Sequence, residues 1–217
     1  APEKTEKQRK NPPGDAPADG RESARQQREK VEARMRLIGS KLLVLSGKGG
    51  VGKSTVAVNL ASALRARGDT VGLLDADMHG PSVPGMLRLQ GSRPAAAEGN
   101  IQPPVHGSGL KVMSIAFLIQ GRDEAVIWRG PLKMNVLRQL LADVEWGRLD
   151  HLVIDLPPGT GDEPLSVCQL VPDATGAVIV TTPQEVAIAN VRRCVSFCRE
   201  LDLPILGVVE NMSGFLC

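Results

Sequence analysis

Aromatic side chains are nearly missing from this sequence of 217 residues. It contains no tyrosine, and aromatic residues make up only 2% of it, although 42% of its residues are hydrophobic. The core must therefore consist of Val, Leu, Ile and Ala, which fill strands buried on both faces and the helices that cover them. This composition favours an α/β fold, and the length suits one well-buried domain rather than two full ones.

A large excess of positive charge is also missing. The formal net charge is +2, and residues 1–36 hold ten Lys and Arg against seven Asp and Glu, whereas the remainder holds sixteen against seventeen. Sequence-independent binding of nucleic acid requires many clustered cations that displace counterions from phosphates. The near-neutral remainder therefore argues against a nucleic acid partner.

Long hydrophobic runs are absent as well. The longest, such as residues 41–46 and 177–180, fall far short of the roughly 20 residues that span a bilayer, so we expect no membrane partner. The N-terminus lacks the apolar segment of an export signal, and the four cysteines lie late in the chain without the spacing of a disulfide framework. These absences predict a cytoplasmic protein.

The chain divides into a polar N-terminal extension, residues 1–38, and a domain over residues 39–217. The first 20 residues have almost no large apolar side chain, so they cannot bury enough surface to offset the entropy of ordering, and we expect them to be disordered. Residues 21–37 are rich in Arg, Gln, Glu and Ala, which predicts a short solvated helix, with a flexible linker as the alternative.

Within the domain, short apolar runs alternate with amphipathic stretches. The pattern predicts strands at residues 42–45, 70–74, 110–119, 151–156, 176–181 and 204–209, and helices at 54–67, 131–144, 163–170 and 184–201. Parallel strands need crossover helices between them, so this order predicts an α/β fold with a doubly wound, mostly parallel sheet. Ligands of such sheets bind outside the carboxyl ends of the strands.

A phosphate loop follows the first predicted strand. Residues 47–54 read Gly-Lys-Gly-Gly-Val-Gly-Lys-Ser and satisfy G-x-x-x-x-G-K-[ST] between a strand and a helix N-terminus. Lys53 can neutralise the terminal phosphates, the Ser54 hydroxyl can ligate Mg²⁺, and Thr55 can add a hydroxyl contact. The backbone contacts would come from Gly47, Gly49, Gly50, Val51 and Gly52. A Gly-rich turn without a ligand is the alternative.

Carboxylates follow two other predicted strands. Asp75 and Asp77 follow the strand at 70–74, and they share one face because side chains two residues apart in a strand point the same way. The alternative is that both are turn residues at the end of the strand. Asp155 follows an apolar strand, the Walker B arrangement that holds Mg²⁺ through water. The Gly/Pro segment at 157–162 comes next and can act as a switch that moves when the terminal phosphate leaves.

Lys48, early in the phosphate loop, points away from its own nucleotide pocket. Residues 47–55 resemble the deviant Walker A motif of the nitrogenase iron-protein, septum-site and plasmid-partition ATPases. The resemblance implies that Lys48 reaches across a two-fold interface to the partner's nucleotide, as an arginine finger does, and that Asp77 positions the attacking water while Asp75 supports the site. It also implies that Asn211 reads the adenine base. A solvated lysine and a turn-forming asparagine are the alternatives.

Five separated blocks resemble the Mrp/ApbC-type iron–sulfur carriers over residues 39–217. They are residues 77–82, 128–131, 155–163, 182–185 and 211–215. The resemblance implies an ATP-hydrolysing homodimer that holds a [4Fe–4S] cluster between its subunits through a C-x-x-C pair and delivers it to recipient apo iron–sulfur proteins. The expected ligands are ATP or ADP, Mg²⁺ and this cluster.

Cys217 matches the first cysteine of that C-x-x-C pair, and the second would lie after the last residue, so Cys217 is either a cluster ligand or a spare thiol. Cys194 and Cys198 are four apart on an apolar helical stripe, which predicts core packing for both and for Cys168. The alternative function is an ATP-dependent dimerising switch of the positioning or partition type that binds a membrane or DNA.

Overall fold

The computed structural model describes residues 18–97, 99–118 and 130–214. The helices are α1 (Ala18–Met35), α2 (Lys53–Ala66), α3 (Val83–Met86), α4 (Gly130–Ala142), α5 (Asp162–Leu170) and α6 (Glu185–Glu200), with a 3₁₀ turn at Ile115–Phe117. The strands are β1 (Ile38–Leu45), β2 (Val71–Asp75), β3 (Ala95–Ala97), β4 (Asn100–Gln102), β5 (Val105–His106), β6 (Leu110–Ser114), β7 (Leu149–Asp155), β8 (Gly176–Thr181) and β9 (Ile205–Glu210).

The central sheet has the order β5-β6-β2-β7-β1-β8-β9, and its strands are parallel except for the short β5. The strands β3 and β4 form a separate antiparallel pair. Consecutive residues of the central strands face opposite sides of the sheet, and each side has its own hydrophobic cluster. Leu43 and Leu45 pack on one side, for example, and Val44 on the other. The predicted doubly wound, mostly parallel sheet is confirmed.

The two sides of the sheet are covered by different helices. The smaller hydrophobic cluster contains Ala57 and Ala61 of α2 and Val83 of α3. The larger one contains residues of α1, α4, α5 and α6, with Trp146 fully buried among them. The small residues Ala57 and Ala61 let α2 pack closely on the sheet, and a loop of seven residues, 46–52, joins its N-terminus to the end of β1.

The predicted boundaries hold to within a few residues at most elements, and the departures have physical reasons. The strand predicted at 110–119 ends at Ser114, whose hydroxyl accepts a hydrogen bond from the backbone N–H of Ala116 and starts the 3₁₀ turn. The amphipathic pattern at 131–144 places Leu132 on the apolar face of its helix, but this side chain is 50% exposed because it lies in the first turn of α4, before the turns that pack on the core.

Residues 21–37 form most of α1, but this helix is not wholly solvated. Val31 and Met35 are buried against the core, and α1 packs along α4. The domain boundary at residues 38 and 39 remains a prediction, because the helix that precedes it already shares the core. The first 17 residues of the predicted extension lie outside the described residues.

Candidate nucleotide site

The phosphate loop joins the carboxyl end of β1 to the N-terminus of α2. Gly50 and Gly52 have φ angles of 78° and 83°, left-handed values that glycine adopts without strain. Gly52 caps α2 without a side-chain hydrogen bond, so the first backbone N–H groups of the helix are open to a ligand. A Cβ at Gly49 or Gly50 would meet nothing within 4 Å, which leaves room for phosphate oxygens above the loop. This geometry suits an anion.

Lys53 and Asp155 form a buried ion pair beneath the loop. Lys53 Nζ lies 2.6 Å from Asp155 Oδ1, and the two side chains are 6% and 0% exposed. Burial raises the pKa of Asp155, and the nearby ammonium of Lys53 opposes that effect. Lys53 begins α2, which follows β1 through the phosphate loop, and Asp155 ends β7, the neighbour of β1 in the sheet. The strand order therefore brings the Walker A lysine to the Walker B carboxylate.

One oxygen of the buried pair has no partner. Asp155 Oδ2 is buried without a hydrogen bond among the residues that the structure describes. The Ser54 hydroxyl lies 3.5 Å from Lys53 Nζ, close enough to the carboxylate to lower the pKa of Asp155. An unpartnered carboxylate oxygen next to a hydroxyl is an oxygen donor set of the kind that Mg²⁺ takes. These residues therefore fit the predicted magnesium site.

Asp75 and Asp77 have different surroundings in the structure. Their two-residue spacing in the sequence does not show this difference. Asp75 accepts hydrogen bonds from the Ser114 hydroxyl at 3.1 Å and from the backbone N–H groups of Asp77 and Val83. Burial, followed by repulsion from Asp155, raises the pKa of Asp75 to about 7. Its oxygens are used inside the protein, which agrees with a supporting rather than a reacting role.

Asp77 lies at the start of the loop after β2. Its Oδ1 accepts hydrogen bonds from the backbone N–H groups of His79 at 3.2 Å and Gly80 at 3.1 Å. These bonds hold the carboxylate in one orientation near the sheet edge, where its charge also acts on Asp155. The arrangement leaves its other oxygen as an acceptor for a ligand or water.

Lys48 and Asn211 make different contacts at the phosphate loop. Lys48 Nζ donates to Gln184 Oε1 at 3.2 Å, at the start of α6 and away from Lys53. Asn211 Nδ2 donates to the Val51 carbonyl at 2.9 Å, so its amide lies against the loop itself. The predicted roles of both residues, in the partner's site and at the base, stay predictions.

A network of charged side chains joins the two segments that follow β2 and β7, and sequence reasoning missed it. His79 Nε2 lies 2.8 Å from Glu163 Oε1 and 2.8 Å from Lys133 Nζ, and Lys133 also pairs with Glu163. Partial burial raises the pKa of Glu163, but hydrogen bonds from Lys133 and His79 outweigh this effect and hold the pKa below its ordinary value. Because these residues come from three distant parts of the chain, no local spacing in the sequence predicts the cluster.

The cysteines are placed as expected where the structure describes them. Cys194 and Cys198 are fully buried and Cys168 is half-buried against the same core. Burial raises the pKa of Cys168 to about 12 and of Cys194 to about 11, so both thiols are held protonated. Cys217, the first two residues of the block at 128–131 and the last residue of the block at 211–215 lie outside the described residues.

Over residues 18–97, 99–118 and 130–214, no helix combines the length and the apolar character needed to cross a membrane. No group of three or more His, Cys, Asp or Glu side chains there could hold a metal ion.

The chain is similar to known proteins in sequence. A family model described as the NUBPL iron-transfer P-loop NTPase, of the ParA class, matches residues 37–217. An iron–sulfur cluster carrier protein of Methanocaldococcus jannaschii is 51% identical over 88% of this chain and 66% of that protein. A cytosolic Fe-S cluster assembly factor, a NUBP2 homolog of Culex quinquefasciatus, is 54% identical over 81% of this chain and 70% of that protein. The chain spans about two thirds of the length of such curated relatives.

Solved structures share the fold. The nucleotide-binding protein of Archaeoglobus fulgidus in complex with ADP has a TM-score of 0.77 and 42% identity, covering 88% of this chain and 73% of that one. The cell division ATPase MinD of Pyrococcus furiosus has a TM-score of 0.59 and 24% identity, covering 79% and 71%. The second likeness concerns the fold alone, and together they confirm the predicted P-loop NTPase class.

Proposed function

This chain belongs to the family of NUBPL-type iron-transfer P-loop NTPases, and from that premise we propose that it hydrolyses ATP as a homodimer and carries a [4Fe–4S] cluster to recipient apo iron–sulfur proteins. Membership confirms the resemblance to the Mrp/ApbC-type carriers. The observation that carries the hydrolytic part is the buried Lys53–Asp155 pair with its unpartnered Asp155 Oδ2 beneath the phosphate loop.

Different residues at the loop hold the phosphates and the magnesium ion of Mg·ATP. Backbone N–H groups of the loop and the N-terminus of α2 surround the phosphates, and Lys53 neutralises their terminal charge. Ser54 and Asp155, the latter through water, hold Mg²⁺, which when bound supplies further neutralisation of the β- and γ-phosphates. Because Lys53 already pairs with Asp155 at 2.6 Å, nucleotide binding competes for this lysine.

Asp77 and Lys48 act on the reaction itself. The orientation of Asp77, held by two backbone N–H groups, suits it to position the attacking water. Lys48 crosses to the partner's nucleotide when the dimer closes and neutralises charge that develops in the transition state. Its contact with Gln184 is a single exposed hydrogen bond of 3.2 Å, which costs little to exchange for a phosphate oxygen.

Asn211 supports a preference for adenine. Its Nδ2 donates to the Val51 carbonyl, so its Oδ1 remains as the acceptor. The amide oxygen can accept from the exocyclic amine of adenine, and the second Nδ2 hydrogen can donate to a ring nitrogen of the same base. This arrangement suits ATP as the substrate.

Single-turnover hydrolysis tests the enzymatic part. Lys48→Ala and Asp77→Ala should each lower the rate by about 10²-fold, the usual effect of removing one group that stabilises a transition state, with nucleotide affinity largely kept. Lys30→Ala removes a remote surface cation and should leave the rate at the wild-type value. A dimer also predicts that the rate per subunit rises with protein concentration. Wild-type rates in both site variants would show that the proposed roles are wrong.

Anaerobic reconstitution of the full-length natural protein with iron and sulfide tests the carrier part. We expect iron–sulfur absorbance and about four iron atoms per dimer, since four thiolates hold one such cluster. Cys217→Ser should remove most of the bound iron, whereas Cys168→Ser, a half-buried thiol outside the proposed ligand pair, should keep it. A sample that binds ATP but holds no iron would contradict the carrier function.

A further inference from the structure

A cavity of about 320 Å³ lies between α6 and the segment after β7, beside the nucleotide site and distinct from it. It is lined by Thr160, Arg192, Arg193, Ser196, Phe197 and Glu200. The volume is at the lower end of the range of ligand sites, so it suits one or two side chains of a partner rather than a whole cofactor.

The cavity carries positive charge that the protein does not neutralise. Arg192 and Arg193 are exposed, and within the described residues neither makes an ion pair or a side-chain hydrogen bond. Other arginines of the same molecule do find partners, for example Arg34 with Glu145 and Arg65 with the Ser108 carbonyl. Two guanidinium groups against the one carboxylate of Glu200 leave a net charge of +1 at the cavity.

The remaining lining narrows the class of ligand. A single surplus positive charge matches one carboxylate better than a doubly charged phosphate, which Glu200 would also repel. Guanidinium groups bind carboxylates in a bidentate manner, and the ring of Phe197, itself mostly buried, offers an apolar surface next to them. Thr160 and Ser196 add hydroxyl groups. We propose that this pocket binds an Asp or Glu side chain, flanked by an apolar residue, on a segment of a partner protein.

The two segments that line the pocket also contact the phosphate loop or the residue just before it. On one side, the backbone N–H of Gly159, next to Thr160, donates to the Ser46 carbonyl at 2.8 Å. On the other, α6 packs so closely on Gly47 that a Cβ there would lie 2.6 Å from the Cβ of Asn190. A change in the loop on nucleotide exchange therefore moves the walls, and binding at the two sites is coupled reciprocally. Identifying the partner as a cluster recipient rests on the proposed function, whereas the chemistry of the pocket does not.

The probe is an acetylated and amidated peptide, Gly-Leu-Glu-Leu-Gly, titrated into the full-length protein and followed by amide NMR. The amide signals of Thr160 and Ser196 should shift and saturate, and the peptide with Gln in place of Glu should bind at least tenfold more weakly. The variant Arg192→Ala/Arg193→Ala should also lose at least tenfold in affinity. Arg199→Ala, an exposed cation of the same helix outside the cavity lining, should bind as the wild type does.

Further measurements separate the parts of the proposal. Inorganic phosphate that binds as tightly as the peptide would overturn the assignment to a carboxylate, and equal affinity for the Gln peptide would overturn the site. The peptide affinity should differ at least threefold between the ADP-bound protein and the protein with a non-hydrolysable ATP analogue, and equal affinities would overturn the coupling. Peptide binding by a protein that holds no iron would keep the pocket and refute only the carrier function.

Discussion

Two lysine–aspartate pairs of almost equal length lie in very different surroundings. Lys53 Nζ is 2.6 Å from Asp155, with side chains 6% and 0% exposed, whereas Lys30 Nζ is 2.7 Å from Asp143, with side chains 45% and 29% exposed. The first pair lies at the carboxyl edge of the sheet, and the second joins α1 to the end of α4. Their geometry is the same, but the cost of removing one partner depends on how much water the other can recover.

This difference in exposure distinguishes the region around the phosphate loop from the contact between α1 and α4, which only attaches a helix. Buried charges near the phosphate loop are expensive to keep in the folded protein, so the Lys53–Asp155 pair with its unpartnered Oδ2 indicates a functional site. The outer ion pairs along α1, such as Lys30–Asp143, are solvated and inexpensive. They orient the helix while the burial of Val31 and Met35 supplies most of its attachment.

The largest effect is expected from Lys53→Met. It leaves Asp155 buried without its cation, which should lower the free energy of unfolding by about 3–5 kcal/mol and abolish nucleotide binding. Urea denaturation without nucleotide and titration with a fluorescent ATP analogue measure the two effects. Lys53→Met/Asp155→Asn should recover much of the stability and none of the binding. A double variant no more stable than the single one would contradict the explanation by an uncompensated charge.

Asp75→Asn should remove a pH dependence of stability. The pKa of Asp75 is raised to about 7, so between pH 4 and 7 the folded protein keeps a proton that the unfolded chain loses. Stability therefore falls as the pH rises through this range, by up to about 4 kcal/mol for a shift of three pKa units, and is constant above it.

Urea denaturation from pH 4.5 to 8, in EDTA, compares the wild type with Asp75→Asn, and their difference should grow towards pH 7 and then level. Asp150 is the matched control, because hydrogen bonds from the Thr70 backbone N–H and hydroxyl lower its pKa. Its stabilising effect is complete above the ordinary pKa of an Asp and lost only in more acidic solution, so Asp150→Asn should keep the wild-type slope. Parallel profiles for Asp75→Asn and the wild type would refute the prediction.

Arg34→Ala should have an intermediate effect. The guanidinium is 17% exposed and contacts the Glu145 carboxylate at 2.7 Å, Asn100 Oδ1 at 2.8 Å and the Ala142 carbonyl at 3.3 Å. Losing charge-assisted bonds at a partly buried site should cost about 2 kcal/mol. Thermal unfolding measures the loss, and Arg34→Lys should restore only part of it. A full rescue by lysine would show that charge alone matters there.

Lys30→Ala should have the smallest effect, at most about 0.5 kcal/mol, because both partners of the surface pair are solvated. Added salt should reduce this difference further. The same thermal unfolding experiment, at low and at high salt, provides the comparison with Arg34→Ala. A loss as large as that of Lys53→Met would overturn the argument from burial.

Much of the fold was predictable, because the buried strands and covering helices are local patterns. The strand at 176–181 was predicted with its observed bounds, and the phosphate loop lies between strand and helix as its motif requires. The strand at 110–119 was predicted too long because Ser114 ends it through a hydrogen bond that periodicity does not contain. The exposure of Leu132 and the burial of Val31 were missed because they depend on where α4 and α1 meet the sheet.

The site was predictable to the extent that motifs carry it. The sequence by itself determined which residues form the phosphate loop and which carboxylates end the neighbouring strands, because motif and strand order are encoded along the chain. Only the tertiary structure decided that Lys53 pairs with Asp155, that Asp75 is buried with a raised pKa, and that His79, Lys133 and Glu163 meet. These outcomes depend on the order of strands across the sheet and on desolvation, which are set by contacts between residues far apart in the chain.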